Sequence, residues 1–239
     1  MDNSCSFVGI YVAPQATKNI NVMKKQITTL ALMLFLGAGA IQAQEHKHEG
    51  GDCCQQGDKK ECCQNPAIEN IMTRTSIRKY KQQPVEACKV ETMLRAAMAA
   101  PTAVNKQPWH FIVVNDKQML DKLAGEGPRG NMLRNAPLAI VVCGNMEKAL
   151  PGDANGFWIQ DTSAATENLL LAAHALGLGA VWTGVYPITE RMGQVAQALG
   201  MPEYIIPLDV IIIGYPDEQP TPKDKWKPEN VSYNVYGGK

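Results

Sequence analysis

Apolar residues recur every three to four positions in several stretches of the chain, which is the spacing of one face of an α-helix. Residues 65–73 begin with Asn and Pro, a typical helix start, and predict a short helix. A second helix is expected over residues 84–100, between two prolines. The longest helix is expected over residues 156–176, where small residues give it closely packing faces and Gly177 ends it.

Other stretches are rich in β-branched and aromatic residues and predict strands. Residues 109–115 and the nearly continuous apolar run 138–143 are expected to be central strands. Asp116 is expected to cap a short helix after the first of them. The remaining predicted elements are strands over residues 180–185 and 208–214, a helix over 188–199, and an extended tail rich in Pro and Lys.

The N-terminal region has the pattern of a secretory signal peptide. Two lysines follow Met23, and residues 30–41 are uncharged and rich in Leu and Ala. This apolar segment is shorter than the roughly 20 residues that a membrane-spanning helix needs, so we expect cleavage after Ala43 or Ala40. Met23 is therefore the expected true start, and the mature protein is expected to be periplasmic or secreted.

This pattern divides the chain into three parts. Residues 1–43 are expected to be a leader with a Sec-type signal peptide, and residues 44–64 a flexible tether that is rich in Cys and His and has few aliphatic residues. Residues 65–239 are expected to form one folded domain.

The tether contains two adjacent cysteine pairs, Cys53-Cys54 and Cys62-Cys63. In an exported protein these pairs favour disulfide cross-links. The alternative is a site for a soft or borderline metal ion that also uses His46 and His48, although adjacent cysteines lack the spacing that lets both thiolates face one ion.

Composition narrows the classes of function. The chain has 239 residues, of which 45% are hydrophobic, and these values fit one globular domain. Its formal net charge is zero, so no overall positive charge favours binding to nucleic acid. It contains no P-loop, no G-x-G-x-x-G after a strand, no H-E-x-x-H and no G-x-S-x-G. The candidates for chemistry are instead polar residues at the ends of the predicted elements.

The first candidate is the segment R-T-S-I-R-K-Y at residues 74–80. If this segment is extended, alternation places Arg74, Ser76 and Arg78 on one side. Two guanidinium groups and a hydroxyl group suit a phosphate, and a solvated basic turn is the alternative. Lys223 and Lys225 in the tail are further cations for the same phosphate, or part of an ordinary charged tail.

Two further candidates carry groups that suit a flat heterocycle. The loop P-T-A-V-N-K-Q-P-W at residues 101–109 presents the carboxamides of Asn105 and Gln107, which both donate and accept hydrogen bonds. Thr183 and Gly184 end a predicted strand, where a glycine allows close approach of backbone N–H groups to a ring. An ordinary turn glycine is the alternative at that position.

Taken together and in this order, these motifs resemble those of the FMN-dependent nitroreductase family. The resemblance covers residues 65–231, nearly the whole expected domain. It rests on residues 74–80 and 101–109, on W-I-Q-D at 158–161 with E-N-L at 167–169, on A-L-G-L-G at 175–179, and on G-Y-P at 214–216 with Lys223 and Lys225.

The resemblance implies an α+β fold, with a nitroreductase-like mixed, mainly antiparallel sheet flanked by helices, in an intertwined homodimer with one FMN per subunit at the interface. It implies an enzyme that reduces small electron-poor acceptors such as nitroaromatics or quinones, by ping-pong hydride transfer through the flavin from NAD(P)H. Because the flavin does this chemistry, no catalytic side chain and no metal ligand are expected. The cofactor-binding residues that the resemblance implies are Arg74, Thr75, Ser76, Arg78, Asn105, Gln107, Thr183, Gly184, Lys223 and Lys225.

Two rival functions remain open at the level of the sequence. One is flavin-dependent reductive dehalogenation or dehydrogenation on the same fold. The other is a non-catalytic exported protein that binds a metal or thiols through residues 46–63. Neither nucleic acid nor a stable membrane span is expected.

Overall fold

The computed structural model describes residues 65–238. The leader, the signal peptide and the Cys/His tether, which we expect within residues 1–64, lie outside the described residues. Among residues 65–238, no helix combines the length and the apolar character that crossing a membrane requires.

Six α-helices of at least eight residues form in the described part of the chain. The caps expected from the sequence are present: the Asn65 side chain accepts a hydrogen bond from Ala67 N at 2.9 Å, and Asp116 accepts one from Met119 N at 2.9 Å. Gly177, with a φ of +73°, ends the longest helix as expected. The helices are α1 (Pro66–Thr73), α2 (Ala87–Met98), α3 (Lys117–Ala124), α4 (Gly127–Asn135), α5 (Phe157–Ala175) and α6 (Thr189–Leu199).

Four strands form one antiparallel sheet in the order β1-β2-β4-β3. Residues of β2 and β4 are almost all buried, whereas β1 and β3 lie at the two edges. The only parallel pairing in the described region is a single bridge between Ser76 and Ala180. The strands are β1 (Trp109–Val114), β2 (Leu138–Asn145), β3 (Gly179–Gly184) and β4 (Ile205–Gly214).

Helices cover both faces of the sheet. Alternate residues of β2 and β4 point to opposite faces, so Ile140 and Ile211 pack with α2 and α5, while Val141 and Ile212 pack with α3, α4 and α6. Both groups of side chains are buried, and together they form the core. This arrangement is the α+β fold that the resemblance implied, with helices flanking an antiparallel sheet.

Three expectations about the elements were wrong. The second helix begins at Ala87 rather than at residue 84, because Glu86 has an extended backbone, with a ψ of 140°, and is the N-cap. β1 is an edge strand, since it pairs only with β2 among the described strands. β4 begins at Ile205 rather than at residue 208, because Pro207 lies beside a register shift in the β2–β4 pairing, where a strand tolerates a proline.

Candidate functional site

The predicted phosphate-binding segment lies against the edge strand β3. Ser76 forms a bridge with Ala180, and Ile77 N donates a hydrogen bond to Ala180 O at 3.0 Å. The two segments approach so closely that a Cβ atom on Gly179 would lie only 2.6 Å from the Ile77 Cβ. A glycine at this position therefore lets residues 76 and 77 reach the strand.

Anchoring of the apolar side chains sets the direction of the polar ones. Ile77 and Tyr80 are buried. The Tyr80 hydroxyl lies between two backbone acceptors, Ile77 O at 2.6 Å and Ile212 O at 3.0 Å, and donates its one hydrogen to this pair. Burial raises the pKa of the Tyr80 hydroxyl, so this anchor stays protonated. Arg78 is exposed and Ser76 is half-buried, and by alternation both lie on the side of the segment opposite to Ile77.

Cations exceed carboxylates around this segment. Arg74 Nε lies 3.7 Å from Glu167 Oε1, which is an ion pair but too long for a hydrogen bond, so the guanidinium N–H groups stay available to a ligand. Glu218 Oε1 accepts from Arg78 N at 2.5 Å and from Lys79 N at 3.2 Å, which fixes the backbone and leaves both cationic side chains exposed. The segment therefore offers several charge-assisted donors to one anion.

The other end of β3 presents a free backbone donor. Val185 N donates to Leu208 O at 3.0 Å, so by alternation the N–H of Thr183 also faces β4, and that of Gly184 faces away from the sheet. The Thr183 hydroxyl donates to Val210 O at 2.6 Å. Of the two backbone N–H groups implied by the resemblance, the one on Gly184 is thus at the open edge.

The two ends of β3 are spaced for an elongated ligand. Ala180 and Gly184 are four residues apart along the strand, which is about 13 Å. This spacing suits a ligand that has an anion near Arg74, Ser76 and Arg78 and a flat ring beside Gly184. FMN carries a phosphate and a flat ring at the two ends of a ribityl chain, so these residues fit the cofactor implied by the resemblance.

The loop at residues 101–109 adopts an unusual backbone. Val104, Asn105 and Gln107 have φ values of 50°, 54° and 50°, the left-handed region that residues other than glycine rarely adopt. The loop is held by Ala103 N, which donates to Asp161 Oδ1 at 2.9 Å, while Gln107 Nε2 donates to Asn105 Oδ1 at 3.0 Å. Such strained positions cluster at ligand sites, and both carboxamides are exposed.

Within one chain, this loop and β3 do not meet. The loop leads into β1, and three strand spacings, about 14 Å, separate β1 from β3 across the sheet. Asn105 and Gln107 therefore lie at the sheet edge opposite to Thr183 and Gly184.

The tail begins beside the phosphate-binding segment but carries its lysines further on. Asp217 N donates to Lys79 O at 2.9 Å, and Tyr80 forms a bridge with Pro216. Lys223 and Lys225 follow in an exposed stretch without regular structure, and in the described region they make no ion pair with Asp or Glu.

An open groove of about 1160 Å³ continues from Gly184 and contains residues that the sequence analysis missed. The groove lies between α3, α4 and α6 and includes Arg129 and Arg191, two arginines that are far apart in the sequence. Arg191 Nη1 donates to Gly184 O at 3.1 Å. No spacing rule links positions 129, 184 and 191, so only the folded chain brings them together.

The described region contains no cluster of three or more His, Cys, Asp or Glu side chains arranged for a metal ion.

Comparisons with known proteins place this geometry in a family. The model of the nitroreductase family matches residues 71–126 and 124–215. A protein of Methanothermobacter thermautotrophicus, whose name pairs NADH dehydrogenase with NAD(P)H nitroreductase, is 47% identical over 69% of this chain and 84% of its own length. A crystal structure from Parabacteroides distasonis, named for the same pair of activities, is 45% identical and has a TM-score of 0.67 over 72% of this chain and 99% of its own.

A third protein connects the family to its cofactor. The FMN-dependent nitroreductase from Clostridium difficile R20291 is 35% identical to this chain, with a TM-score of 0.64 over 70% of this chain and 99% of its own. With these matches, the chain belongs to the nitroreductase family.

Proposed function

We propose that this protein is an FMN-dependent oxidoreductase that takes electrons from NAD(P)H and reduces small electron-poor acceptors such as nitroaromatics or quinones. The observation that carries the proposal is the position of residues 74–78 beside β3, with the Gly184 N–H at the open end of the same strand. The names of the relatives support the cofactor and the donor, since one is called FMN-dependent and two name NAD(P)H.

The residues at the start of β3 would hold the phosphate of FMN. Arg74 and Arg78 supply charge-assisted donors, and Ser76 supplies a hydroxyl group on the same side of the segment. Each ionic hydrogen bond contributes about 1.5–3 kcal/mol, so two or three of them retain a dissociable cofactor. Lys223 and Lys225 would add to this site if the tail folds back toward residue 79, where it begins.

The residues at the end of β3 would hold the flavin ring. The Gly184 N–H points away from the sheet and can donate to a ring nitrogen, and glycine leaves room for a flat group. When bound, FMN supplies a hydride acceptor and donor at its N5 atom. The chain itself then needs only to bind, orient and shield the reactants, and no side-chain nucleophile is required.

The groove beside Gly184 is the proposed position of both substrates in turn. Because it opens from one end of β3, the donor and the acceptor would occupy the same space, which is the structural basis of a ping-pong cycle. The proposal predicts parallel lines in double-reciprocal plots of rate against acceptor concentration at several NAD(P)H concentrations. Intersecting lines would contradict the shared position.

A panel of acceptors tests the proposed substrate class. Nitroaromatics and quinones are expected to be reduced, with no release of halide from halogenated analogues of the same size. Release of halide as the fastest reaction would replace the proposed reaction with reductive dehalogenation. Oxidation of a saturated substrate without NAD(P)H would replace it with dehydrogenation.

We further propose that the site is completed by a second subunit in a homodimer. One chain places Asn105 and Gln107 at the β1 edge and Gly184 at the β3 edge, so a two-fold partner is needed to bring this loop to β3. The exposed carboxamides would then reach the polar edge of the cofactor held by the other subunit.

We also propose that residues 1–43 are a leader removed on export and that residues 44–64 are accessory to catalysis. The hydrophobic segment at residues 30–41 after two lysines supports the leader. The N-terminal sequence of the mature protein, expected to begin at residue 41 or 44, tests the cleavage. A variant lacking residues 44–64 is expected to keep full flavin-dependent activity, and loss of activity would make the Cys/His tract the functional part.

A further inference from the structure

The groove beside Gly184 is lined by a pair of arginines that the proposed flavin site does not use. Arg129 is the third residue of α4, and Arg191 is the third residue of α6. Both helices begin at the groove, and both arginines are lining residues. The pair therefore belongs to two separate elements that meet only in the folded domain.

The buried position of one nitrogen of Arg129 is not explained by a hydrogen bond within the described residues. Its Nη1 atom is buried and has no hydrogen-bond partner among the described residues. A buried guanidinium nitrogen without a partner loses its hydration and gains no hydrogen bond in exchange, which is unfavourable. Burial, and to a smaller extent the positive charge of Arg191, lowers the pKa of the Arg129 guanidinium.

The local fields do not compensate these charges. The N-terminus of a helix carries a partial positive charge, so an arginine in the first turn is repelled by its own helix. Both arginines occupy that position. The other charged lining residues are Lys122, Glu126 and Glu190, and Glu190 accepts a hydrogen bond from Gln194 Nε2 at 3.2 Å.

No carboxylate in the described region pairs with either arginine, since the ion pairs formed there involve other residues. Three cations and two carboxylates thus line the groove, and its most buried cation is unpaired. An anion that enters the groove would offset this excess of positive charge and accept charge-assisted hydrogen bonds from the arginine N–H groups that line it.

We infer that Arg129 and Arg191 form a subsite for an anionic group, a phosphate or a carboxylate, on the substrate that occupies the groove beside Gly184. Arg191 also donates to Gly184 O, so the anion would be held next to the residue that contacts the flavin ring. The inference rests on the proposed function, because it names the substrate class of the same site. The anion has two sources, the phosphates of the nicotinamide donor or a carboxylate on the acceptor.

Matched pairs of substrates distinguish these sources in the FMN-loaded full-length protein. On the acceptor side, 4-nitrobenzoate is compared with the uncharged 4-nitrobenzamide. On the donor side, NADPH is compared with 1-benzyl-1,4-dihydronicotinamide, which lacks phosphates. The variants are Arg129→Gln and the exposed Arg191→Gln, with Lys148→Gln as a control that removes one exposed positive charge outside the groove.

If the acceptor is the source, kcat/KM for 4-nitrobenzoate falls about 10- to 100-fold in either arginine variant, and that for 4-nitrobenzamide changes by less than about threefold. If the donor is the source, the same loss is seen with NADPH and not with the benzyl compound. If neither arginine variant changes the ratio of kcat/KM for the charged substrate to kcat/KM for the uncharged one, in either pair, the inference is overturned. An equal loss of kcat/KM for the charged substrate in Lys148→Gln would overturn it as well.

A binding measurement keeps the inference testable if the proposed function fails. In calorimetric titrations of the protein as purified, 4-nitrobenzoate is expected to bind the wild type about 10- to 100-fold more tightly than Arg129→Gln. The melting temperatures of both proteins are measured in parallel to confirm folding. The same titrations are done with NADPH. If flavin reduction is absent but either ligand shows this difference, the subsite stands without the enzyme; equal binding of both ligands to the two proteins overturns it.

Discussion

At the scale of single residues, Arg74 carries the phosphate-binding proposal. Its guanidinium group is partly buried, lies 3.7 Å from Glu167 Oε1 and makes no hydrogen bond to that carboxylate. A buried ion pair would tie the side chain into the fold, whereas this arrangement leaves its donors for a ligand. The same feature makes the residue easy to test, because its removal costs the fold little.

Arg74→Ala is expected to raise the dissociation constant of FMN about 10- to 100-fold, which corresponds to the loss of one ionic hydrogen bond of about 1.5–3 kcal/mol. Titration of FMN fluorescence into the FMN-free protein measures this constant. Arg95→Ala is the matched control, because Arg95 bonds to Glu91 on the exposed side of α2. Equal FMN affinity in the wild type and Arg74→Ala would remove Arg74 from the site.

The burial and the hydrogen bonding of Asp209 could not be predicted from the sequence. It lies within the apolar strand β4, fully buried, and its Oδ1 atom has no hydrogen-bond partner among the described residues. Thr166 Oγ1 lies 2.9 Å from Thr162 O and 3.0 Å from Asp209 Oδ2. A hydroxyl group has one hydrogen, so if Thr166 donates to Thr162 O, a protonated Asp209 donates to Thr166.

Burial raises the pKa of Asp209 well above its usual value, so the folded protein retains a proton that the unfolded chain releases near pH 4. The stability contributed by this group is therefore present below about pH 4 and is lost as pH rises through the folded pKa. Asp209→Asn removes this dependence, so the variant should gain stability relative to the wild type as pH rises above about pH 4 toward the folded pKa, by up to about 1.4 kcal/mol per pH unit.

Urea unfolding at several pH values measures this difference. Asp217→Asn, at an exposed position, is the control and should show no comparable trend. A difference between Asp209→Asn and the wild type that stays constant with pH would mean that Asp209 is ionised in the folded protein.

At the scale of elements, Gly179 positions the proposed phosphate-binding segment, residues 74–80. A Cβ atom there would lie 2.6 Å from Ile77 Cβ, well below van der Waals contact. Gly179→Ala should therefore push residues 76 and 77 away from β3. It is expected to lower the free energy of unfolding by about 1–3 kcal/mol and to weaken FMN binding at the same time.

The control for this substitution is Gly193→Ala in α6, where an added Cβ meets nothing within 4 Å. Alanine is favoured over glycine inside a helix, so this control should be neutral or slightly stabilising. Chemical unfolding and FMN titration are compared for both variants. Normal FMN affinity in a destabilised Gly179→Ala protein would separate the packing of residue 77 from the cofactor site.

The sequence predicted most of these elements because their signals are local. The caps at Asn65 and Asp116 and the stop at Gly177 depend only on neighbouring residues, and all three are present. The edge position of β1 was not predictable, because strand order depends on contacts between distant segments. The pairing of Arg129 with Arg191 was not predictable for the same reason, since the two residues lie on different helices and line one groove only in the folded chain.

At the scale of the whole molecule, the sheet order supports the proposal that the site is completed by a second subunit. Residues 74–78 and Gly184 share the β3 edge, and the loop with Asn105 and Gln107 lies at the β1 edge. A homodimer in which each loop reaches the partner's β3 forms two complete sites. Light scattering of the purified protein should then give about twice the mass of one mature chain.

Subunit complementation tests the shared site more directly than mass. Arg74→Ala and Asn105→Ala are each expected to be deficient, one at each half. After the two are mixed, unfolded and refolded together, half of the dimers should be mixed, and each should contain one intact site. About a quarter of wild-type activity is therefore expected to return. No recovery, in a mixture shown to contain mixed dimers, would place both halves of the site in one chain.

The visible absorption spectrum of residues 44–239, supplied with FMN, desalted and then treated with NADH or NADPH without oxygen, tests the central claim most directly. We predict that the flavin band is retained through desalting and that it bleaches on addition of at least one of the two nucleotides. A folded protein that retains no flavin band, or a retained band that neither nucleotide bleaches, would contradict the account of this protein as an FMN-dependent NAD(P)H oxidoreductase.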